Sequence, residues 1–433
     1  MDPIITGIIG LCAMLILIAA GVPIAFSLVS VGAVGMSYMV GIGPTLAQIA
    51  MIAWDKGSSF VILCVPLYIL MGQLVFHTGL ATDLYECVQK WLGRLPGGLA
   101  IATVFACAGF GAVTGSSLAA VATMGAIIMP EMKKYNYDDR LSTGVLSASG
   151  TLGILIPPSI IFVFYGIMTE TSIAELFIAG IVPGVITALF YSMSIYFRCL
   201  INPKIGPVGP AYSWKTRFSS LKKVTPVVII FLVVIGGIYG GVFTPTEASG
   251  IGVVGVILVT LGMRKLTLAS FKQSLLDTGQ TSAMIFAILI GGYLFSRFLA
   301  LTEITSNLIN WIQGLNMNNH LFMLCIMLFF VLLGCVLDVF GMLILTLPFL
   351  FPIILHMGID PVWFGVFAVI MAEIALVTPP IGVNVFIMKN IAPEVAIEDI
   401  FRGIMPFIIC DILLVVLLIL FPQIALWLPS TLR

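Results

Sequence analysis

Ser149-Gly150-Thr151-Leu152-Gly153-Ile154-Leu155-Ile156-Pro157-Pro158-Ser159 and Glu373-Ile374-Ala375-Leu376-Val377-Thr378-Pro379-Pro380-Ile381-Gly382-Val383-Asn384 are apolar runs, each stopped by a pair of prolines. Proline lacks the N–H a helix needs and clashes with the preceding turn, so each run is expected to break there. The interval from Ile156-Pro157-Pro158 to Thr378-Pro379-Pro380 is the same as the interval from Pro130 to Pro352. Gly72 and Trp91 stand at one common interval from Gly292 and Trp311, and Glu175, Gly180 and Pro183 at another from Glu398, Gly403 and Pro406. These intervals differ only by short gaps. The chain therefore reads as two copies, 1–198 and 224–433, joined by a basic linker at 199–223.

The medium is lipid. Sixty per cent of the 433 residues are apolar and 9% are charged, with mean hydropathy +1.19; a soluble domain carries roughly a quarter charged residues. Zero net charge says nothing about nucleic acid or acidic partners, and the placement of charge matters more than its sum; no nucleic-acid partner is expected. The start, Met1-Asp2-Pro3, has no basic segment, so the run from Ile4 to Ala20 reads as a first span, not a cleaved leader. Eight cysteines are scattered without a CxxC pair and read as small apolar residues.

Apolar runs long enough to cross ~30 Å of hydrocarbon lie near 4–20, 22–42, 60–78, 174–198, 224–242, 248–262, 278–299 and 404–428. Four others are interrupted at mid-length: 98–132, 141–168, 319–356 and 362–388. Sixteen of the 19 Lys and Arg fall at 90–94, 133–140, 198–223, 264–272 and 389–402, whereas 169–175, 243–247, 314–320 and 357–361 have none. Placing the basic set in the cytoplasm closes the topology if 98–132 and 319–356 are re-entrant hairpins. The expected fold is an all-α membrane protein of about eleven transmembrane helices plus two re-entrant hairpins, with inverted repeats and both termini outside. The amphipathic stretches 80–95 and 302–314 suit helices lying along the interface, or plain connectors.

Broken helix at membrane depth is tolerated only where protein or a watery cavity satisfies its backbone. The four breaks thus mark the functional region. Their freed carbonyls, with Ser and Thr hydroxyls, make oxygen cages suited to a small hard cation. The N–H groups opening each new half-helix favour an anion. The bland alternative is that Gly and Ser merely let helices approach closely. Asp338, in the second hairpin tip Gly334-Cys335-Val336-Leu337-Asp338-Val339-Phe340-Gly341, either supports a cation site, takes a proton, or caps the next half-helix. Arg297 either meets a substrate carboxylate, pairs with Asp338 or Glu303, or snorkels to the interface. Asp411 reads as structural. His77, His320 and His356 are far apart and do not suggest a metal site. No P-loop, HExxH or GxSxG motif occurs, and Asp338 with Glu373 is the sole candidate acid/base pair, so an enzyme is disfavoured.

The tip Gly109-Phe110-Gly111-Ala112-Val113-Thr114-Gly115-Ser116-Ser117, the Ile-Pro-Pro-Ser break and its Thr-Pro-Pro-Ile-Gly counterpart resemble the large membrane (M) subunit of tripartite ATP-independent periplasmic (TRAP) transporters, over essentially the whole chain. The resemblance implies a multi-pass bacterial inner-membrane subunit of a Na⁺-coupled importer of small organic anions such as carboxylates, sugar acids or sulfonates, working as an elevator. It implies two partners, a small four-helix membrane (Q) subunit and a periplasmic substrate-binding (P) protein. It also implies Na⁺ as coupling ion, one cage from Gly111, Thr114, Gly153, Ile156 and Pro158 and another from Gly334, Ala375, Thr378 and Ile381. Substrate would lie near Ser116, Ser117, Ser159, Arg297 and Asp338. Relatives often carry Ser where Gly111 and Thr114 stand, and Ala375 has only its carbonyl to offer. A self-sufficient Na⁺/anion symporter of the divalent-anion type is the alternative.

Overall fold

The computed structural model describes residues 2–431 except Asn316, Val336 and Ile381, and every regular element among them is helical. Among these residues, seven helices are long and apolar enough to cross a membrane, or eight if the bent pair Asp139–Leu155 and Ile160–Thr169 counts as one span. Pro3–Ala19 and Ile24–Val40, 17 residues each, sit at the short end of what crosses hydrocarbon. Large apolar side chains face outward, among them Ile16, Phe26, Val34, Leu232, Leu258 and Leu332. In water such a surface would drive aggregation; in a bilayer it is the solvated face.

From the arm onward the element order runs alike in 1–198 and 224–433: a short amphipathic arm (Leu80–Leu92; Ile304–Gly314), a helical hairpin, a broken helix and a long helix, followed in the second by Gln423–Ser430. Ahead of the arm the first has four helices and a 3-10 turn and the second three helices. The hairpins are Gly98–Thr114 with Ser117–Lys134, and Asn319–Gly334 with Val339–His356. The broken helices are Asp139–Leu155 with Ile160–Thr169, bent by 44°, and Pro361–Val377 with Val383–Ile391. All four interruptions expected from sequence are present, and both Pro-Pro bonds are cis. Helix Ile42–Gly57 was not anticipated. Its start is set by Gly41, whose φ of +90° only glycine adopts freely.

The halves interlock. Gly144, in the first broken helix, packs on the backbone of Gly403 in Ile397–Leu420, and Gly365, in the second, packs on Leu176 and Tyr165 of the first half. Buried tyrosines add polar ties across the halves: Tyr68 donates to the Pro245 carbonyl at 2.9 Å and Tyr165 to that of Pro361 at 2.8 Å. The first arm is pinned by charge, with Asp83 paired to Lys265 and to Lys223.

Candidate functional site

The two proline pairs strip specific carbonyls of their donors. In an α-helix the carbonyl of residue i accepts from the N–H of i+4. For Gly153 that residue is Pro157, and for Ala375 it is Pro379, neither of which has an N–H to give. The second proline of each pair strips Ile154 and Leu376 in the same way, so two of the four freed carbonyls belong to residues named above as cation ligands.

At each place a hairpin tip presses backbone to backbone against the break. A Cβ on Gly111 would stand 2.1 Å from the Gly153 Cα, and one on Gly153 would stand 2.7 Å from the Gly111 Cα. Thr114, 4% exposed, ends the first hairpin arm, and its Oγ1 is buried without a hydrogen-bond partner. An orphaned hydroxyl one turn from Gly111 fits a small cation, because a buried polar atom left unpaired is costly. Ile156 caps the first segment in extended conformation, and Pro158 is buried next to it; the Pro158 carbonyl lies against Gly115.

The second place is built alike but is more open. A Cβ on Gly334 would stand 2.5 Å from the Ala375 Cβ. Thr378 is only half-buried, and its Oγ1 donates to the Ile374 carbonyl at 2.6 Å, leaving oxygen lone pairs free. Pro379 and Pro380 are exposed, and the Cys335 thiol reaches the Pro379 carbonyl at 3.3 Å. Ile381 lies outside the described residues.

Between the hairpin tips is a cavity of about 330 Å³. The first tip contributes Thr114, Ser116 and Ser117, the second Asp338 and Phe340, and helices Cys64–His77 and Leu268–Leu301 close it with Gln73 and Thr281. Three of the four breaks reopen as a new helix with a side-chain-capped N-terminus around this cavity. Ser116 Oγ accepts from Ala119 N at 3.4 Å, Ser159 Oγ from Phe162 N at 3.3 Å and Asp338 Oδ1 from Gly341 N at 2.9 Å. Asp338 thus caps its half-helix and also lines the cavity. Ser159 is fully buried beside the wall that Ile160 and Ile161 form.

Arg297 is elsewhere. It is exposed, and its Nε donates to Gln48 Oε1 at 3.3 Å, in the helix the sequence did not reveal, rather than pairing with Asp338 or Glu303. The cavity is left with no basic side chain among its lining residues. Conversely, Gln73 and Thr281 were not anticipated, although Gln73 stands out as a lone amide in an apolar run. Their helices meet the tips closely: a Cβ on Gly72 would lie 2.7 Å from the Thr114 Cα, and one on Gly292 would lie 2.0 Å from the Ile344 side chain. Gly72 and Gly292 stand at the interval that also separates Trp91 from Trp311.

Residues 11–424 match the family model described as the tripartite ATP-independent periplasmic transporter, DctM component. The C4-dicarboxylate TRAP transporter large permease of Pseudomonas aeruginosa is 31% identical over 89% of this chain and 90% of its own length. The ectoine/5-hydroxyectoine TRAP transporter large permease of Ruegeria pomeroyi is 32% identical, covering 96% of each. Among solved structures, the Alcanivorax borkumensis YdaH transporter superposes with a TM-score of 0.61 at 13% identity, over 98% of both chains. That last likeness concerns the fold alone.

Proposed function

Because this chain belongs to the DctM component family of tripartite ATP-independent periplasmic transporters, a large permease of the inner membrane rather than an enzyme, we propose that it couples Na⁺ to the import of a small carboxylate-bearing solute. The observation carrying this reading is the pairing of sites. Twice, a hairpin tip packs on a residue whose carbonyl has lost its helical donor to proline, at Gly111/Gly153 and at Gly334/Ala375, and a cavity lies beside the tips. Oxygen donors without amines or thiolates select hard cations. The first cage takes Gly111, Thr114, Gly153, Ile156 and Pro158; the second takes Gly334, Ala375 and Thr378.

Anion recognition in this reading falls to backbone amides. Helix N-termini hold carboxylates through aligned N–H groups and the macrodipole, and Ser117–Lys134, Ile160–Thr169 and Val339–His356 begin around the cavity. The Asp338 carboxylate lines the same space, so an anionic cargo needs cations alongside it, which is a physical reason for coupling. C4-dicarboxylate and ectoine, named for the two permeases above, both carry carboxylates. Substrate then touches Ser116, Ser117 and Asp338, with Ser159 holding its half-helix in place and Arg297 bracing Gln48. The family's tripartite description supports a small membrane subunit and a periplasmic binding protein as partners. The test is uptake into proteoliposomes with those partners and a panel of carboxylates. Uptake that tracks an imposed Na⁺ gradient is expected; uptake indifferent to Na⁺ rejects the coupling. Uptake without any binding protein would instead favour a self-sufficient symporter.

A further inference from the structure

Away from the cavity, the basic linker and the first arm build a surface of donors without acceptors. Helix Trp214–Tyr239 begins inside the linker. Its Trp214 and Phe218 pack edge-on against Trp91 of the arm, with ring centroids 6.2 and 5.5 Å from that of Trp91. The Arg217 guanidinium lies over the Trp214 ring, 5.0 Å from its centre. Two buried N–H groups of this cluster, Arg217 Nε and Trp91 Nε1, have no hydrogen-bond partner. Guanidinium and indole N–H groups can only donate, and a buried donor left unpaired is costly. Whatever completes the cluster must therefore bring acceptors.

The charge around it has one sign. Lys215 and Lys222 are exposed, and among the described residues no acid pairs with either of them or with Arg217. The acids of the arm are engaged elsewhere, Asp83 with Lys223 and Lys265, Glu86 with Lys223 and Lys90. Trp214, Phe218, Leu221, Val228, Ile229 and Leu232 are exposed and fall at helical spacing on one side of Trp214–Tyr239. Lys215 and Lys222 flank this stripe on one edge and Arg217 on the other. Past Lys223 the helix carries no charge and runs on as a membrane span. Donors at the basic end and an apolar stripe beyond them match a phospholipid, with its phosphate at the interface and its chains in the bilayer. A free phosphate ester would use the donors and leave the stripe bare.

We propose that this face binds an anionic phospholipid of the leaflet on the basic side, its headgroup oxygens taking the Arg217 and Trp91 N–H groups and its acyl chains lying along the Trp214–Leu232 stripe. A lipid held there joins the linker helix to the arm. The assignment holds whatever the cargo and the coupling ion, and its test does not depend on transport. The full chain is placed in phosphatidylcholine bilayers containing phosphatidylglycerol with a photoreactive diazirine at the top of one acyl chain. Label is expected on the peptide spanning 214–222, displaced by unlabelled phosphatidylglycerol and not by added phosphatidylcholine. Arg217→Gln, Lys215→Gln and Lys222→Gln should each weaken that displacement about fivefold, whereas Lys272→Gln, exposed on another helix, leaves it unchanged. The labelling pattern of the unmutated chain decides the matter if a variant fails to fold. The proposal is overturned if the label is spread over the helices, if phosphatidylcholine competes equally, or if the three variants bind as the unmutated chain does. Displacement by soluble glycerol 3-phosphate also overturns it, since the ligand is then a free phosphate ester. Loss of the label when the small membrane subunit proposed above is bound overturns it as well, by making this face a protein interface.

Discussion

Thr114 ends a helix with nothing for its hydroxyl to bind, which is expensive unless a ligand completes it. Thr114→Val keeps the shape and removes the oxygen. Loss of one such ligand, worth ~1–3 kcal/mol, should raise the Na⁺ concentration for half-maximal uptake by roughly 5- to 150-fold, whereas Thr114→Ser stays near wild type. An unchanged Na⁺ titration in the valine variant removes Thr114 from the cage. Gly153 makes the complementary case. Its Cβ would stand 2.7 Å from the Gly111 Cα, and backbone there has no rotamer with which to yield. Gly153→Ala is expected to cost ~1–3 kcal/mol by overpacking, read as a lower thermal unfolding temperature, and to abolish uptake. Arg297→Ala, by contrast, breaks only an exposed bond to Gln48. Uptake should fall less than about fivefold if that contact is worth ~0.5–1 kcal/mol at most, and a complete loss would return Arg297 to the substrate.

At the scale of elements, the hairpins are distinguished by where they stop, not by how apolar they are. Val339–His356 passes the same test for a membrane span as Ile397–Leu420, yet it is an arm that turns back at Asp338. Gly72 and Gly292, on helices outside the hairpins, let the tips come within contact. If the tips travel past those helices during transport, tethering one stops it. Gly292→Cys with Ile344→Cys, in a background freed of native cysteines, should form a disulfide on mild oxidation that arrests uptake and releases it on reduction. Full activity of the quantitatively oxidised protein would show that this contact persists through the cycle.

For the whole molecule, stability resides in the interlocking of halves. Gly403 sits so close to the first broken helix that a Cβ would fall 2.0 Å from the Arg140 carbonyl oxygen. Gly403→Ala should therefore destabilise the protein by at least ~1–3 kcal/mol, visible as a lower unfolding temperature in detergent, while the equally conservative Gly279→Ala, at a glycine with open space around it, should not. The sequence alone determined the helical class, the lipid environment and the four breaks. Composition, proline and glycine act locally, through missing donors and permitted dihedrals, and need no tertiary context. Hairpin tips, proline pairs, Ser116 and Asp338 were legible for that reason. Only the tertiary structure decided which surfaces meet: Arg297 turned to Gln48, Gln73 and Thr281 brought to the cavity, Trp91 packed against Trp214. In a chain this apolar every helix face looks alike in sequence, and the choice among faces is made by packing between segments remote from one another along the chain, through contacts that no local pattern encodes.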